Sequence, residues 1–222
     1  LDLTIFLRPT LPPSNNTVQN RYDRVEAISG SPHSDILRGT PNRPGTSAGN
    51  ELVVTASRDG FDLIEGLSDL VPEDERGPLP NDPVTGEAQT GWDGGEIIIG
   101  GGGSDLLVGE AGDDILDGDY SLTVALEAGM MVFEGMAQLF EPVFFGGVDS
   151  GISPCDISIS RMLLDADMGQ VDTDTALFSG NASDYTVLEE NGFLRVTDTR
   201  PLGLNLPPGA LGNDGIDLVK NA

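Results

Sequence analysis

The sequence predicts a mainly β fold: a parallel β-roll built from nine-residue turn-and-strand units, with a short helical segment and a C-terminal β-hairpin. Three observations carry that prediction. A glycine–acid–apolar pattern repeats with a nine-residue period through residues 91–118. Glycine supplies 30 of the 222 residues, about twice its usual share. Short β-prone runs are separated throughout by turns rich in Gly, Pro and Asn.

The period is clearest in three contiguous units, 91–99, 100–108 and 109–117. Aligned by nines, position one is Gly91, Gly100 and Gly109, with Gly118 opening the next unit, and position four is Gly94, Gly103 and Gly112. Position six is Glu96, Asp105 and Asp114, and position eight is Ile98, Leu107 and Leu116. This is the G-G-x-G-x-D-x-U-x pattern of parallel β-helical repeats. The first six residues of a unit form a turn, where glycine allows positive φ and lets carbonyl oxygens point at one centre. The last three form a short strand whose position-eight side chain faces inward while its neighbours face out. Successive units run back and forth, so turns on one edge come from units i and i+2.

Along the chain, Leu3–Leu7 is β-like and passes into the Pro12-Pro13-Ser14-Asn15-Asn16 stretch. The start has no initiator Met, basic segment or cleavage motif, and so reads as an internal piece or processed chain and not as a signal peptide. Degenerate units follow at 30–38, with Asp35 at position six and Leu37 at position eight, and at 57–65, with Asp62 and Ile64. Residues 40–50 and 72–90 read as long surface loops, the second containing Asp82-Pro83. Tyr120–Leu126 alternates as a strand leaving the roll, and Met130, Phe133, Met136 or Ala137, and Phe140 recur at helical spacing. Ile157–Leu164 is a second apolar segment, strand or helix. Tyr185–Leu188 and Phe193–Val196 flank Asn191-Gly192, the strongest short hairpin signal. A last unit, 212–220, carries Asp217 at position six. The organisation expected is a roll region with long loops over 1–120, a strand and short helical segment over 121–170, and a hairpin with a final repeat over 171–222.

Acidic residues outnumber basic ones 37 to 11, for a net charge of -26. That excludes the basic face a nucleic-acid binder needs. No apolar run approaches the ~18 residues of a membrane span. Cys155 is the sole cysteine and His33 the sole histidine, so neither a disulfide framework nor a histidine-based metal or catalytic site is available to the chain. So much aspartate arises either as a surface adaptation to salt or as ligands for hard cations, and its fixed place beside glycine favours the second. Calcium takes six to eight oxygen ligands, mixing carboxylates with backbone carbonyls. Two stacked turns offer that set. Glu96 and Asp114 share one edge; Asp105 lies on the other, where Asp117 and Asp119 are near enough to complete a shell. Carbonyls of Gly100, Gly102, Gly109 and Ala111 are the backbone candidates, and Asp35, Asp62 and Asp217 the carboxylates of the outlying units. Asp-Gly turns also join short strands without any ion, and that alternative stands beside the calcium one.

Tyr22–Gly30 followed by Ser34–Gly39, the central repeats Ile97–Asp119, the segment Asp174–Val187 and the closing Asp214–Leu218 together resemble the RTX (haemolysin-type) calcium-binding C-terminal region of bacterial animal-type haem peroxidases. The resemblance touches most of the chain from about residue 20 onward, and 127–155 and Glu96 depart from its pattern. It implies a secreted or cell-surface calcium-binding module, exported by a type I system whose signal would lie beyond Ala222, and acting in folding after export and in attachment to, or assembly with, extracellular or surface protein subunits. It implies no peroxidase activity in this chain: such enzymes need a distal and a proximal His, and His33 sits in a repeat turn. Two other roles fit the same residues, an accessory C-terminal part of a secreted haem peroxidase and a structural subunit of an extracellular layer or filament.

Overall fold

A computed structural model describes residues 27–39, 53–54, 59–82, 84–92, 94–133, 138, 153–166, 171–201 and 213–222. The strand expected at Leu3–Leu7, the loop at 40–50, the position-one Gly212 and most of the segment expected as helix lie outside these residues.

The fold is mainly β, and its frame is a chain that alternates between two parallel ladders. Strand β1 (Ala27–Ser29) lies in the first ladder and β2 (Ile36–Arg38) in the second. After an excursion holding β3 (Val53–Val54), β4 (Gly77–Leu79) and β5 (Gln89–Gly91), the chain returns to the first ladder as β6 (Ile97–Ile99). It crosses to the second as β7 (Leu106–Val108) and back as β8 (Ile115–Asp117). A second excursion carries β9 (Tyr120–Ala128), β10 (Met131–Phe133) and β11 (Ile157–Asp165), after which β12 (Thr175–Ala176) joins the second ladder. A third carries the hairpin β13 (Tyr185–Glu190) and β14 (Phe193–Asp198), and β15 (Ile216–Lys220) closes the first ladder. The first sheet has the order β1-β6-β8-β15-β14-β13 and the second β12-β7-β2. Ile98 pairs with Ile28 and Leu116, and Leu107 with Leu37 and Ala176, all in parallel register. Strands from 1–120 and from 171–222 therefore share the two ladders, while β9, β10 and β11 form a sheet of their own.

The position-eight residues explain why the ladders face each other. Leu37, Ile98, Leu107, Leu116 and Val219 are all buried and form one apolar cluster with Ile28 and Val196. Their neighbours were expected to face out, and on the first ladder they do not. Ile97, Ile99 and Ile115 belong to a second buried cluster with Phe61, Leu67, Leu70, Val71, Trp92, Leu163 and Phe193. The excursions cover that face, so the run Ile97-Ile98-Ile99 lacks alternation because both its faces are buried.

Three local expectations change. The described part of the 57–65 unit, residues 59–65, is not a turn and strand: Phe61–Leu63 is a 3-10 turn followed by the short helix α1 (Leu67–Leu70). The Asp59 carboxylate accepts from the Phe61 N–H at 2.9 Å and the Phe61 ring turns into the core beneath the Arg76 guanidinium. Met131–Phe133 is a strand and not part of a helix, because Gly129 takes φ +65° and folds β10 back on β9 with Met131 opposite Ala128. The stretch 72–90 holds a 3-10 turn at Glu73–Glu75 and the paired strands β4 and β5 as well as loop. Ile157–Asp165 resolves as a strand, antiparallel to β9 along its whole length. The hairpin at Asn191-Gly192 forms, both residues at positive φ, as the Asn-Gly pair requires.

Candidate metal centre

Each edge of the winding stacks the turns that enter one ladder, and the position-six carboxylates tie those turns together. On the edge leading into the second ladder, the Asp35 N–H donates to Asp105 Oδ1 at 2.6 Å and the Asp105 N–H donates to Asp174 Oδ1 at 2.7 Å. On the opposite edge, the Glu96 N–H donates to Asp114 Oδ1 at 2.6 Å and the Asp114 N–H to Asp217 Oδ1 at 2.9 Å. One oxygen of each receiving carboxylate thus continues the ladder through the turn. Glu96, Asp105, Asp114, Asp174 and Asp217 are all buried, and Asp35 is half-buried.

The second oxygens decide what the edges can do. Asp105 Oδ2 and Asp114 Oδ2 are buried and accept no hydrogen bond, where buried polar atoms normally find a partner. Asp105 Oδ2 faces a backbone oxygen: a Cβ built on Gly100 would stand 2.5 Å from it and 2.5 Å from the Gly118 carbonyl oxygen. The same pairing of one carboxylate with one carbonyl recurs at other position-one glycines. Asp35 Oδ2 and the Gly100 carbonyl meet at Gly30, Glu96 Oε2 and the Gly109 carbonyl at Gly39, and Asp174 Oδ2 and the Asn221 carbonyl at Gly118. A side chain at any of these would fill an oxygen-lined niche, which is why position one is glycine without needing positive φ. At Asp105 Oδ2, which accepts no hydrogen bond, a carboxylate oxygen and a carbonyl oxygen line one niche, and such a pair of acceptors suits a cation.

Burial pushes the Asp105 carboxyl up to about 6; Asp174, Asp35 and Asp172 add to the rise, against the hydrogen bond from the Asp35 N–H. Burial likewise raises Asp114, with Asp217 and Glu96 as the charges facing it, and raises Asp217 beside Asp214, Asp113 and Asp198. Asp35 goes the other way, held low by the N–H and hydroxyl of Ser31. Elsewhere, buried Asp198 and Asp214 have Arg200, at 2.5 and 3.3 Å.

Asp119, Asp172 and Asp174 form a group whose carboxylate oxygens lie within 4.8 Å of one another and could hold a metal ion. Asp172 and Asp174 were missed in the sequence. Asp174 occupies position six of a unit whose first half, Gly118-Asp119, lies more than fifty residues earlier. The remaining signal is Gly169 five residues before Asp174 and Ala176 two after it. Of the other candidates, Asp117 is buried with Oδ1 accepting from the Asp119 and Tyr120 N–H groups, which shapes the turn. Burial raises its carboxyl too. The Gly102 N–H donates to the Ser31 carbonyl at 3.0 Å and seats one turn on the next, while Ala111 is half-buried in the turn ahead of Asp114. Asp62 is exposed on the 3-10 turn and belongs to neither edge.

The donor set is carboxylate and carbonyl oxygen alone; His33 and Cys155 are both exposed. That set suits hard cations and not zinc or copper. Among the described residues no helix is long and apolar enough to cross a membrane. No family model, curated protein or solved structure matches the chain.

Proposed function

We propose that this chain is a non-catalytic calcium-binding β-roll of the RTX type, the two ladders being its walls and the two edges its calcium-binding rows. One observation carries the reading: buried Asp105 and Asp114 each hold one oxygen in the inter-turn ladder and leave the other unpartnered in a glycine-walled niche. Calcium is the hard cation that accepts many oxygens in flexible geometry, whereas magnesium holds to a strict octahedron and keeps its waters. Bound between turns, it would supply the positive charge that a chain of net charge -26 lacks along its edges. Folding would then be coupled to calcium by mass action, each independent site adding about 2.7 kcal/mol at one hundred times its Kd. A module so built suits export: it stays loose where calcium is scarce and locks where it is plentiful. We extend the proposal to secretion and to attachment or assembly at a cell surface, of the kind RTX regions of haem peroxidases provide.

Calcium titration of the full chain, followed by calorimetry and far-UV circular dichroism, tests this. Calcium chloride should raise the melting temperature and chelator lower it, with magnesium chloride a weak substitute. Asp105→Ala together with Asp114→Ala should reduce the calcium bound, and Asp74→Ala, on an exposed turn, should not. An absence of binding heat with unchanged spectra and melting would overturn the reading.

A further inference from the structure

A cavity of about 120 Å³, partly open to solvent, lies where the second ladder runs into its turns. Arg38, Val108 and Leu177 each follow an inward-facing residue, Leu37, Leu107 or Ala176, and so stand on the opposite face of that ladder. Val108, Leu177 and Phe178 form the apolar wall, and the Phe178 ring is held by Tyr185 with 5.4 Å between ring centroids. The back wall is Ser179 and buried Asp214. Asp214 Oδ1 accepts from Ser179 Oγ at 2.6 Å and faces the Arg200 guanidinium at 3.3 Å, while Oδ2 accepts from the Ser179 N–H at 2.9 Å and from the Tyr185 hydroxyl. At the mouth, Arg38 Nη1 meets Glu110 Oε1 at 3.0 Å. Glu110 takes φ +75° where the unit before it has Gly101 at φ +102°. A side chain in that left-handed region is strained, and such strain gathers at functional sites. What the strain secures here is a carboxylate, its side chain 11 % exposed, fixed against a guanidinium that is 43 % exposed.

We propose that this cavity binds one neutral hexose ring, its hydroxyls on the Arg38–Glu110 pair and its carbon face on Val108, Leu177 and Phe178. The proposal goes beyond the calcium reading and uses none of its ions. Size sets the first limit: a cavity of ~150 Å³ takes a benzene ring, so this one takes a single six-membered ring with an edge left in water. Charge sets the second. Each charged group of the lining already faces an opposite one, so a cation would meet Arg38 and an anion Glu110, and either would have to break a pair already made. A hydroxyl both donates and accepts. Two neighbouring ring hydroxyls therefore match a carboxylate and a guanidinium standing side by side without separating them. An apolar wall with a few fixed polar groups is the usual make-up of a small-molecule site.

The test follows backbone amide shifts of the full, isotope-labelled chain by NMR in calcium chloride, with methyl α-glucoside, methyl α-mannoside and methyl β-galactoside as probes at millimolar concentration. At least one should give saturable shifts centred on 108–112 and 177–180. Sodium acetate and methylammonium chloride, the charged probes, should shift nothing there. Glu110→Gly, which relieves the positive φ, should fold as well as the unmodified chain and bind that glycoside at least tenfold more weakly. Arg38→Met, at a half-exposed side chain, should weaken it equally, and it decides the matter if Glu110→Gly does not fold. The matching polymer (dextran, mannan or galactan) separates the sources: shifts at the same residues identify a polysaccharide, and shifts with the glycoside alone a free sugar, both in support. No saturable shift with any glycoside, tighter binding of a charged probe, or undiminished affinity in the variants would overturn the proposal. None of these outcomes bears on calcium binding, which the titration of the ion itself decides.

Discussion

Asp105→Asn should change the sign of its effect with the presence of calcium. The amide oxygen can still accept from the Asp35 N–H, which now reaches Asp105 Oδ1 at 2.6 Å. The amide nitrogen then replaces Oδ2 beside the Gly118 carbonyl, putting a donor where two acceptors faced each other. A carboxyl held at about 6 in the fold, against 3.8 ordinarily, costs the folded chain up to roughly 3 kcal/mol near neutral pH at 1.36 kcal/mol per unit. Removing that charge without calcium should raise the melting temperature by about 3–10 °C. With calcium present, the same change deletes a carboxylate ligand. The calcium concentration at the folding midpoint should rise at least tenfold, about 1.4 kcal/mol. Thermal melts by circular dichroism in chelator, with enough trimethylamine oxide to fold the unmodified chain, measure the first effect; calcium titration at fixed temperature measures the second. An Asp105→Asn chain that melts lower in chelator would show that Oδ2 is satisfied without a cation and would refute the reasoning.

The pH dependence should also invert. Because the Asp105 carboxyl is raised in the fold, the metal-free chain keeps its full stability below the ordinary value of 3.8 and loses it as pH rises through about 6, so melts in chelator should be higher at pH 5 than at pH 7.5. With calcium the order should reverse, since protons and the ion compete for one carboxylate. Gly100→Ala would place a methyl 2.5 Å from both Asp105 Oδ2 and the Gly118 carbonyl; urea denaturation in calcium should show a loss of about 1–3 kcal/mol together with weaker calcium binding. Gly77→Ala, whose Cβ would meet nothing within 4 Å, should stay within about 0.5 kcal/mol in the same assay. Leu107→Ala, fully buried between the ladders, should cost about 2–5 kcal/mol and leave the calcium stoichiometry of the folded chain unchanged.

Legibility in the sequence followed the distance over which each feature is encoded. Position eight was readable because one burial requirement recurs every nine residues, and Leu37, Ile98, Leu107, Leu116 and Val219 do share a core. The edge shared by Glu96 and Asp114 was readable for the same reason, since units i and i+2 must stack. Asp174 was not. Its turn begins at Gly118, so a pattern counted residue by residue sees two unrelated fragments. At the start of the Met130–Phe140 spacing the outcome is local: Gly129 at positive φ makes a two-residue turn, and Met131–Phe133 folds back on β9 as a strand. Asp62 kept the spacing of a unit but lost its place when Phe61 took the burial that position eight would have had.

The three excursions leave the winding only at its edges, and this follows from what holds the edges together. A β-ladder fixes register through backbone groups along the strands and says little about the turns between them. Here the turns carry their own ladder, in which the N–H at position six of one layer donates to the carboxylate of the next. A turn pinned in that way need not be continuous in sequence. Residues 40–93, 120–171 and 177–212 can enter at the cost of loop closure, which grows only slowly with length. The pinning uses one oxygen of each carboxylate and buries the whole group, so every turn secured adds a charge to a stack of like charges. On the proposed reading, the residues that make the fold tolerant of insertions are therefore the residues that call for a cation, and only a neutral acceptor such as the amide of Asp105→Asn would keep the pin without the charge.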